Sequence, residues 1–313
     1  MDRDPTLTHL SDHIMLTDGG LETWLIFHRE VDLPDFAAYP LLESEDGRQL
    51  LRDYFDPYLD SARATGCGFV IGTPTWRTSA DWGDRLGHDA EALDRLNRLA
   101  VDEAVVVRDA AGLAAPVVIS GCIGPRGDGY VVETLMTPDE ARDYHRAQIA
   151  SFAATAADLV TAMTITSVEE AIGLVLAARD HGMPIVLSFT VETDGRLPSG
   201  AALGEAIDAV DAATDGYAAY FMVNCAHPTH FADVLDPDGT WTRRVRAIRA
   251  NASMRSHAEL DEAPDLDEGD PADLAARTRS LRDRLPWLAV FGGCCGTDER
   301  HLDAMARELT ASP

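Results

Sequence analysis

Three of the five cysteines in this sequence stand at positions where their thiols can act together. Cys294 and Cys295 are adjacent and lie within the glycine-flanked segment Gly292–Gly296, and Cys225 lies far upstream. Three thiolates suit Zn²⁺, and a site with only three protein ligands keeps an open position for a substrate or water. The flanking glycines lack a Cβ and let the backbone bend, so that both adjacent sulfurs can face one metal. A vicinal disulfide is the other interpretation of the pair.

The composition excludes several other chemistries. All 26 basic residues are arginine, so Schiff-base catalysis, pyridoxal-phosphate attachment and a Walker-A phosphate loop, which each need a lysine, are ruled out. The 53 acidic residues give a formal charge of −27, which disfavours binding to nucleic acid and to anionic membranes. Cys67 and Cys122 are isolated and are expected to be small buried apolar residues.

The same features predict a cytoplasmic protein. An odd, sparse number of cysteines argues against a disulfide framework and favours a reducing compartment. The segment Met1–Asp4 lacks the basic start of a secretory signal, and no apolar run approaches the ~18 residues that a membrane-spanning helix needs.

The cysteines follow strand-like segments of a repeating pattern. Eight short apolar runs alternate with longer amphipathic segments, which is typical of parallel strands buried on both faces. Eight such units predict the α/β class and a single (β/α)₈ TIM barrel over residues 1–313, with its active site at the C-terminal ends of the strands. A doubly wound sheet is the alternative, but the only glycine-rich candidate, Gly121–Gly127, has the wrong spacing for a dinucleotide-binding turn. The predicted strands are Ile14–Thr17, Gly68–Thr73, Pro116–Ser120, Asp158–Thr164, Pro184–Thr190, Ala219–Asn224, Val245–Asn251 and Trp287–Phe291.

Amphipathic segments between the strands predict helices with recognisable starts. Thr137 precedes Pro138, Ser167 has Glu170 three residues later, and Asp270 precedes Pro271. The acidic segment 261–270 has six acids in ten residues and is predicted to be a solvated loop after strand seven, with metal binding as the second interpretation. The predicted helices are Asp89–Ala111, Pro138–Ala157, Val168–His181, Leu203–Ala213 and Pro271–Leu285.

The motifs at the strand ends resemble those of the homocysteine S-methyltransferase family. These motifs are Asp18-Gly19-Gly20 after strand one, Asn224-Cys225 after strand six and the Cys294-Cys295 pair after strand eight. The family includes betaine–homocysteine methyltransferase and the homocysteine-binding module of cobalamin-dependent methionine synthase, and the resemblance spans almost the whole chain. It implies a (β/α)₈ barrel in which Cys225, Cys294 and Cys295 hold catalytic zinc. It also implies that Asp18, Gly19, Gly20 and Asn224 lie against the thiol amino acid.

One position departs from that family's pattern. The family's fourth strand ends in a Glu-Thr pair whose glutamate binds the amino group of homocysteine, and Met163 occupies this place here. A buried ammonium without a charge partner is costly. The sequence therefore predicts either that another acid, with Glu192 after strand five as the candidate, supplies the contact, or that the substrate is not homocysteine.

Further side chains at the same end of the barrel have weaker functional interpretations. Two histidines are candidates for orienting substrate, three tryptophans for holding an onium group by cation–π attraction, and two arginines for pairing a carboxylate. For each of them, packing or solvent contact is the alternative. They are His227, His257, Trp24, Trp76, Trp82, Arg126 and Arg196.

Together these features predict a zinc-dependent S-methyltransferase that moves a methyl group from a sulfonium or ammonium donor to homocysteine or a related thiol. Its expected partners are these small molecules, with no nucleic acid and no membrane. Two alternatives stay open. One is transfer to a different thiol or selenol, because Met163 replaces the family glutamate. The other is a non-methylating barrel with structural zinc or redox-active cysteines.

Overall fold

The computed structural model describes residues 13–132, 135–263 and 265–311. Eight parallel strands in sequence order close into a barrel, and β1 pairs with both β2 and β8 through Met15, opposite Gly68 and Val290. This confirms the predicted (β/α)₈ barrel. Residues Met1–Asp4, which carried the expectation about a secretory signal, and Pro264 of the acidic segment lie outside the described residues. The strands are β1 (Met15–Leu16), β2 (Gly68–Gly72), β3 (Val117–Ile123), β4 (Leu159–Ile165), β5 (Ile185–Phe189), β6 (Tyr220–Asn224), β7 (Val245–Ala250) and β8 (Val290–Gly293).

Each predicted helix is present, and further helices lie in segments for which none was predicted, including the long Glu45–Thr65. Short π and 3₁₀ turns occupy Trp24–His28, Pro34–Phe36, Tyr39–Glu43, Ala232–Val234 and Trp241–Arg244. The α-helices are α1 (Leu21–Thr23), α2 (Glu45–Thr65), α3 (Ala80–Leu86), α4 (Ala90–Ala110), α5 (Pro138–Ala153), α6 (Val168–Asp180), α7 (Leu203–Thr214), α8 (Pro228–Phe231), α9 (His257–Asp261), α10 (Pro271–Arg284) and α11 (Glu299–Thr310).

All three predicted helix starts are confirmed, with Thr137, Ser167 and Asp270 as the N-cap residues. Thr137 forms a capping box with Glu140, and the Asp270 carboxylate accepts from the backbone N–H groups of Ala272 and Asp273. Ser167 is the N-cap of α6, but it makes no side-chain capping hydrogen bond. Glu170, which has the capping-box spacing, instead accepts from the Arg126 N–H and contacts His145.

The strand sequences are almost entirely apolar because both faces of each strand are buried. One face packs against the surrounding helices, as Phe69, Ile119 and Phe291 do. The other face fills the barrel interior, where Met15, Leu159 and other side chains form a second apolar cluster. Towards the C-terminal ends of the strands this filling gives way to a cavity.

In the part of the chain that the structure describes, none of the helices combines the length and the apolar character that crossing a membrane requires.

Candidate active site

The three cysteines singled out from the sequence converge at the C-terminal end of the barrel. Cys225 directly follows β6, Cys294 and Cys295 directly follow β8, and their sulfurs all lie within 4.8 Å of one another. The Sγ atoms of Cys225 and Cys295 are 3.5 Å apart. Both loops are hydrogen-bonded to β7, the strand between them: the Cys225 N–H donates to the Arg249 carbonyl, and the Cys294 N–H donates to the Ala250 carbonyl. The barrel itself therefore sets the spacing of the thiols.

Cys225 adopts an unusual backbone conformation, with φ of +56°. A non-glycine residue in this left-handed region is strained and persists only where its surroundings hold it. Here the Cys225 carbonyl accepts from the Asn251 side-chain amide at 3.1 Å and lies 2.7 Å from His257 Nε2. The conformation turns the chain at the end of β6, and these contacts fix it.

The loops after β1 and β8 interlock at this end of the barrel. The Gly20 N–H donates to the Thr297 carbonyl, and the Gly293 N–H donates to the Asp18 carbonyl. A Cβ on Gly20 would lie only 2.6 Å from the Cys294 carbonyl oxygen, so glycine is required for this approach. The predicted Gly-Gly turn therefore supports the cysteine loop through its backbone.

Tyr130 completes the surroundings of the thiols and was missed by sequence reasoning. Its hydroxyl lies 2.9 Å from Cys225 Sγ and 3.7 Å from Cys295 Sγ, and its ring packs against His257 at 4.2 Å between centroids. Burial, together with the neighbouring thiols, raises the pKa of Tyr130 well above its usual value, so the hydroxyl keeps its proton and can donate it. Tyr130 comes from the long loop after β3, and nothing in its spacing linked it to the cysteines.

The cluster of thiols holds negative charge on Cys294. Hydrogen bonds from Cys225 and Cys295 lower the pKa of Cys294, burial opposes this, and the Arg249 guanidinium lowers the pKa further. Hydrogen bonds to Cys294 and Cys295, together with burial, raise the pKa of Cys225. The hydrogen bond to Cys225 lowers the pKa of Cys295, but its hydrogen bond to Cys294 and its burial outweigh this, so the net shift is upward. The hydrogen bonds among the three sulfurs and the Arg249 charge therefore favour the thiolate form at Cys294.

Asp18 and Arg249 form a buried ion pair beneath the cluster. The guanidinium lies 2.9 Å from the carboxylate and also donates to the carbonyls of Gly19 and Gly293, both at 3.0 Å. Burial raises the pKa of Asp18, and Arg249 partly offsets that effect. The sequence predicted Asp18 at this place, but Arg249 was missed, because an arginine within an apolar strand gives no sign of which way it points.

Asn224 ties three strand ends together. Its carboxamide oxygen accepts from the Thr164 N–H at 2.9 Å and from the Ser188 hydroxyl at 2.5 Å, and its amide group donates to the Thr164 hydroxyl at 2.8 Å. Thr164 itself has φ of +62°, at a register irregularity between β4 and β5. Asn224 therefore fixes the end of β4, where Met163 lies.

A cavity of about 100 Å³, which we call the inner chamber, opens beside the thiols. All three cysteines of the cluster line it, as do Asp18, Glu22 and Met163. The Met163 side chain is buried there, and its carbonyl accepts from Trp76 Nε1 at 3.3 Å. Burial raises the pKa of Glu22 to about 7. Glu22 follows the predicted Asp-Gly-Gly motif directly, but the sequence gave no reason to separate it from an ordinary helix acid.

A second cavity of about 320 Å³, the outer chamber, shares Trp76, Tyr130 and Cys295 with the first. Its wall combines aromatic rings with carboxylates from the loop after β3 and from the acidic segment 261–270. The other residues of this wall that bear on ligand binding are Phe27, Asp128, Asp265, Asp267 and Phe36, the last of which also lines the inner chamber. Part of the predicted solvated loop therefore faces a cavity.

Glu192 is not among the described residues that line the two chambers. The geometry therefore does not support it as a substitute for the missing glutamate. Its backbone N–H donates to the Arg196 carbonyl in a tight turn, and its carboxylate lies 3.6 Å from His257 Nδ1. Glu192 thus contacts the histidine that supports the Cys225 carbonyl.

Of the further histidine, tryptophan and arginine candidates, some are engaged in packing or surface contacts and others line a cavity. His227 caps α8 and is buried. Trp82 packs against the guanidinium groups of Arg77 and Arg85, which lie 3.6 and 4.5 Å from its ring centroid. Arg126 pairs with Asp81 at 2.8 Å, and Arg196 donates to the Gly200 carbonyl. Trp24 packs against Tyr54, whereas Trp76 lines both chambers.

The sequence model of the family described as "Homocysteine S-methyltransferase" matches residues 15–309. Among curated proteins, "Homocysteine S-methyltransferase 3" of Arabidopsis thaliana is 26% identical over 193 residues, which are 61% of this chain. The match spans about half of that relative, 52% of its length.

Solved structures of the homocysteine methyltransferase MmuM from Escherichia coli share the fold. The oxidized form superposes with a TM-score of 0.78 at 19% identity, over 96% of this chain and 98% of that one. The metallated form gives a TM-score of 0.74 at 19% identity, over 97% and 99% of the two chains.

Proposed function

Since the chain belongs to the homocysteine S-methyltransferase family, we propose that it is an enzyme that transfers a methyl group from a sulfonium or quaternary ammonium donor to the sulfur of homocysteine or a related thiol. One observation carries this proposal: the thiols of Cys225, Cys294 and Cys295 converge on one wall of a chamber at the C-terminal ends of the strands.

The thiols fit a zinc ion. Zinc–thiolate bonds of about 2.3 Å in tetrahedral geometry place two sulfurs roughly 3.8 Å apart, and Cys225 Sγ and Cys295 Sγ are 3.5 Å apart here. Three soft ligands match zinc and leave one position for a substrate sulfur. When bound, zinc would supply acidity, lowering the pKa of a thiol so that a thiolate forms at neutral pH.

The residues around the thiols hold them in place. The Tyr130 hydroxyl lies within hydrogen-bond reach of Cys225 Sγ, and His257 fixes the Cys225 carbonyl. Arg249 supplies positive charge beneath Cys294 and fastens the loops after β1 and β8 to each other. Such support shapes the metal site and limits the motion of its ligands.

The outer chamber suits the methyl donor. A sulfonium or quaternary ammonium group is attracted by aromatic faces and by carboxylates, and Trp76, Phe36 and Asp128 offer both. The two chambers meet at Tyr130 and Cys295, so a thiol in the inner chamber and a methyl group in the outer chamber face each other. Holding the two reactants in line supplies roughly 7–11 kcal/mol of the barrier reduction.

A methyl-transfer screen tests the proposal. Zinc-loaded protein is incubated with homocysteine and other thiols against sulfonium and betaine donors, and the products are identified by mass spectrometry. We expect one pair to gain a methyl group on sulfur. The triple variant Cys225→Ser/Cys294→Ser/Cys295→Ser should be inactive, and Cys67→Ala is the matched control, because Cys67 is a buried free thiol that does not belong to the cluster. Folded, zinc-loaded protein that methylates no thiol or selenol would contradict the proposal.

A further inference from the structure

Glu22 is the one side chain of the inner chamber whose charge the described structure leaves unmatched. Among the residues that the structure describes, no arginine or histidine nitrogen lies within ion-pair distance, 4.0 Å, of its carboxylate. The nearby Arg249 is committed to Asp18 at 2.9 Å. The Arg77 guanidinium lies against the rings of Trp76 and Trp82.

The position of Glu22 is fixed relative to the thiols. It lies in α1, directly after the Gly19–Gly20 turn that interlocks with the cysteine loop. The Gly296 N–H also donates to the Thr23 hydroxyl at 3.3 Å, next to Glu22 in the chain. A carboxylate on this turn is therefore held at a set place beside Cys294.

The opposite wall of the chamber cannot supply the same charge. At the end of β4, Met163 presents a thioether, which is only a weak hydrogen-bond acceptor and carries no charge. A cation that enters the chamber finds its counter-charge on the β1 side. Burial raises the pKa of the Glu22 carboxyl to about 7, as expected for a carboxylate with no cation within ion-pair distance.

We propose that Glu22 binds the ammonium group of the thiol substrate and thereby selects an amino-acid thiol, with Met163 forming the apolar wall opposite. This inference rests on the proposed function, because it takes the acceptor thiol to occupy the inner chamber. It assigns Glu22 to the acceptor because Glu22 lines the inner chamber and does not line the outer one. A substrate that carries both a thiol and an ammonium then spans the chamber from the cysteines to the α1 turn.

The test compares binding of two thiols that differ only in the amino group. L-Homocysteine and 4-sulfanylbutanoate are titrated calorimetrically into the zinc-loaded chain and into the variant Glu22→Gln. Because a hydrogen bond to a charged group is lost, we expect the variant to bind homocysteine roughly ten- to a hundredfold more weakly. Binding of 4-sulfanylbutanoate should change by less than about threefold, since it has no ammonium.

Two further variants keep the test decisive. Glu262→Gln removes an exposed carboxylate at the same end of the barrel and should leave both affinities unchanged. Glu22→Gln/Met163→Glu moves the carboxylate to the β4 wall and should recover at least part of the homocysteine affinity. Circular dichroism and zinc content check that each variant folds and loads.

The outcomes separate this inference from the proposed function. Equal affinity of the wild type for the two thiols, or equal losses for both in Glu22→Gln, would overturn the role of Glu22 even if methyl transfer occurs. Selective loss of homocysteine binding without methyl transfer by the wild type would support the role of Glu22 and contradict the proposed activity.

Discussion

Removing the positive charge of Arg249 should destabilise the chain strongly and in a pH-dependent way. In Arg249→Met the Asp18 carboxylate, 7% exposed, loses its only ion-pair partner among the described residues. Leaving a buried charge unpaired costs about 3–5 kcal/mol. The alternative is to protonate Asp18, and for a carboxyl with an unfolded pKa of about 3.9 this costs about 4 kcal/mol at pH 7 but only about 1.5 kcal/mol at pH 5.

Both routes give the same expectation. Arg249→Met should lower the free energy of unfolding by about 4 kcal/mol at pH 7. The sign of the pH effect follows from the raised pKa of Asp18: the folded variant binds a proton that the unfolded chain releases, so stability is lost as the pH rises above about 4. Adding Asp18→Asn removes the orphaned carboxylate and should restore most of the loss at pH 7.

Urea unfolding of the metal-free chain, followed by circular dichroism at both pH values, measures these differences. Arg142→Met is the control, because its ion pair with Asp180 at 2.7 Å is open to solvent and is screened. A loss under about 1 kcal/mol at pH 7 for Arg249→Met, or an equal loss in the double variant, would refute the reasoning.

Three further predictions concern the metal and the carboxylates. The chain should bind about one zinc ion, measured by elemental analysis, and Cys294→Ser should lose most of this zinc. Chelation should leave the circular dichroism spectrum nearly unchanged, because the barrel core needs no metal. Collapse of the fold on chelation would instead indicate structural zinc. Glu22→Gln should become more stable relative to the wild type as the pH rises from about 4.5 to about 7, by at most about 3 kcal/mol. In this range the folded wild type keeps the Glu22 proton that the unfolded chain releases, so the wild type loses stability and the variant does not. Urea titrations of metal-free protein that show no such difference would contradict the unpaired state of Glu22. Glu192→Ala should leave homocysteine affinity within about threefold, since this carboxylate contacts His257 and not the chamber, whereas a tenfold loss in calorimetry would return Glu192 to the ammonium site.

The strands and the thiol cluster were predictable because each has a local signature. A strand buried on both faces must be apolar throughout, and eight such runs leave few architectures. The glycine-flanked pair Cys294-Cys295 and the distant Cys225 follow strands, and parallel strands in a barrel end on the same side. The convergence of the three cysteines can therefore be predicted from the sequence pattern alone.

The roles of side chains that depend on the direction in which the side chain points were not predictable from the sequence. Arg249 lies inside the barrel because Asp18 meets it there, and Tyr130 reaches the thiols from a long loop. Glu170 had the spacing of a capping residue, but packing gave it His145 as its partner. Glu192 also follows a strand, but its turn closes on Arg196, its carboxylate contacts His257, and it does not line the inner chamber.

The interlock between the loops after β1 and β8 has a consequence for the order in which the molecule is made. Two of the three thiols follow the last strand, and that strand pairs with the first, so the site forms only when the two ends of the barrel sequence meet. Such long-range closure is slow and comes late in folding. During synthesis Cys225 is complete well before its partners, and a chain released before β8 has neither a closed barrel nor a complete thiol cluster. Assembly of the thiol cluster is thus coupled to the synthesis of β8 and the residues after it, and a chain that lacks them has only one thiol of the cluster.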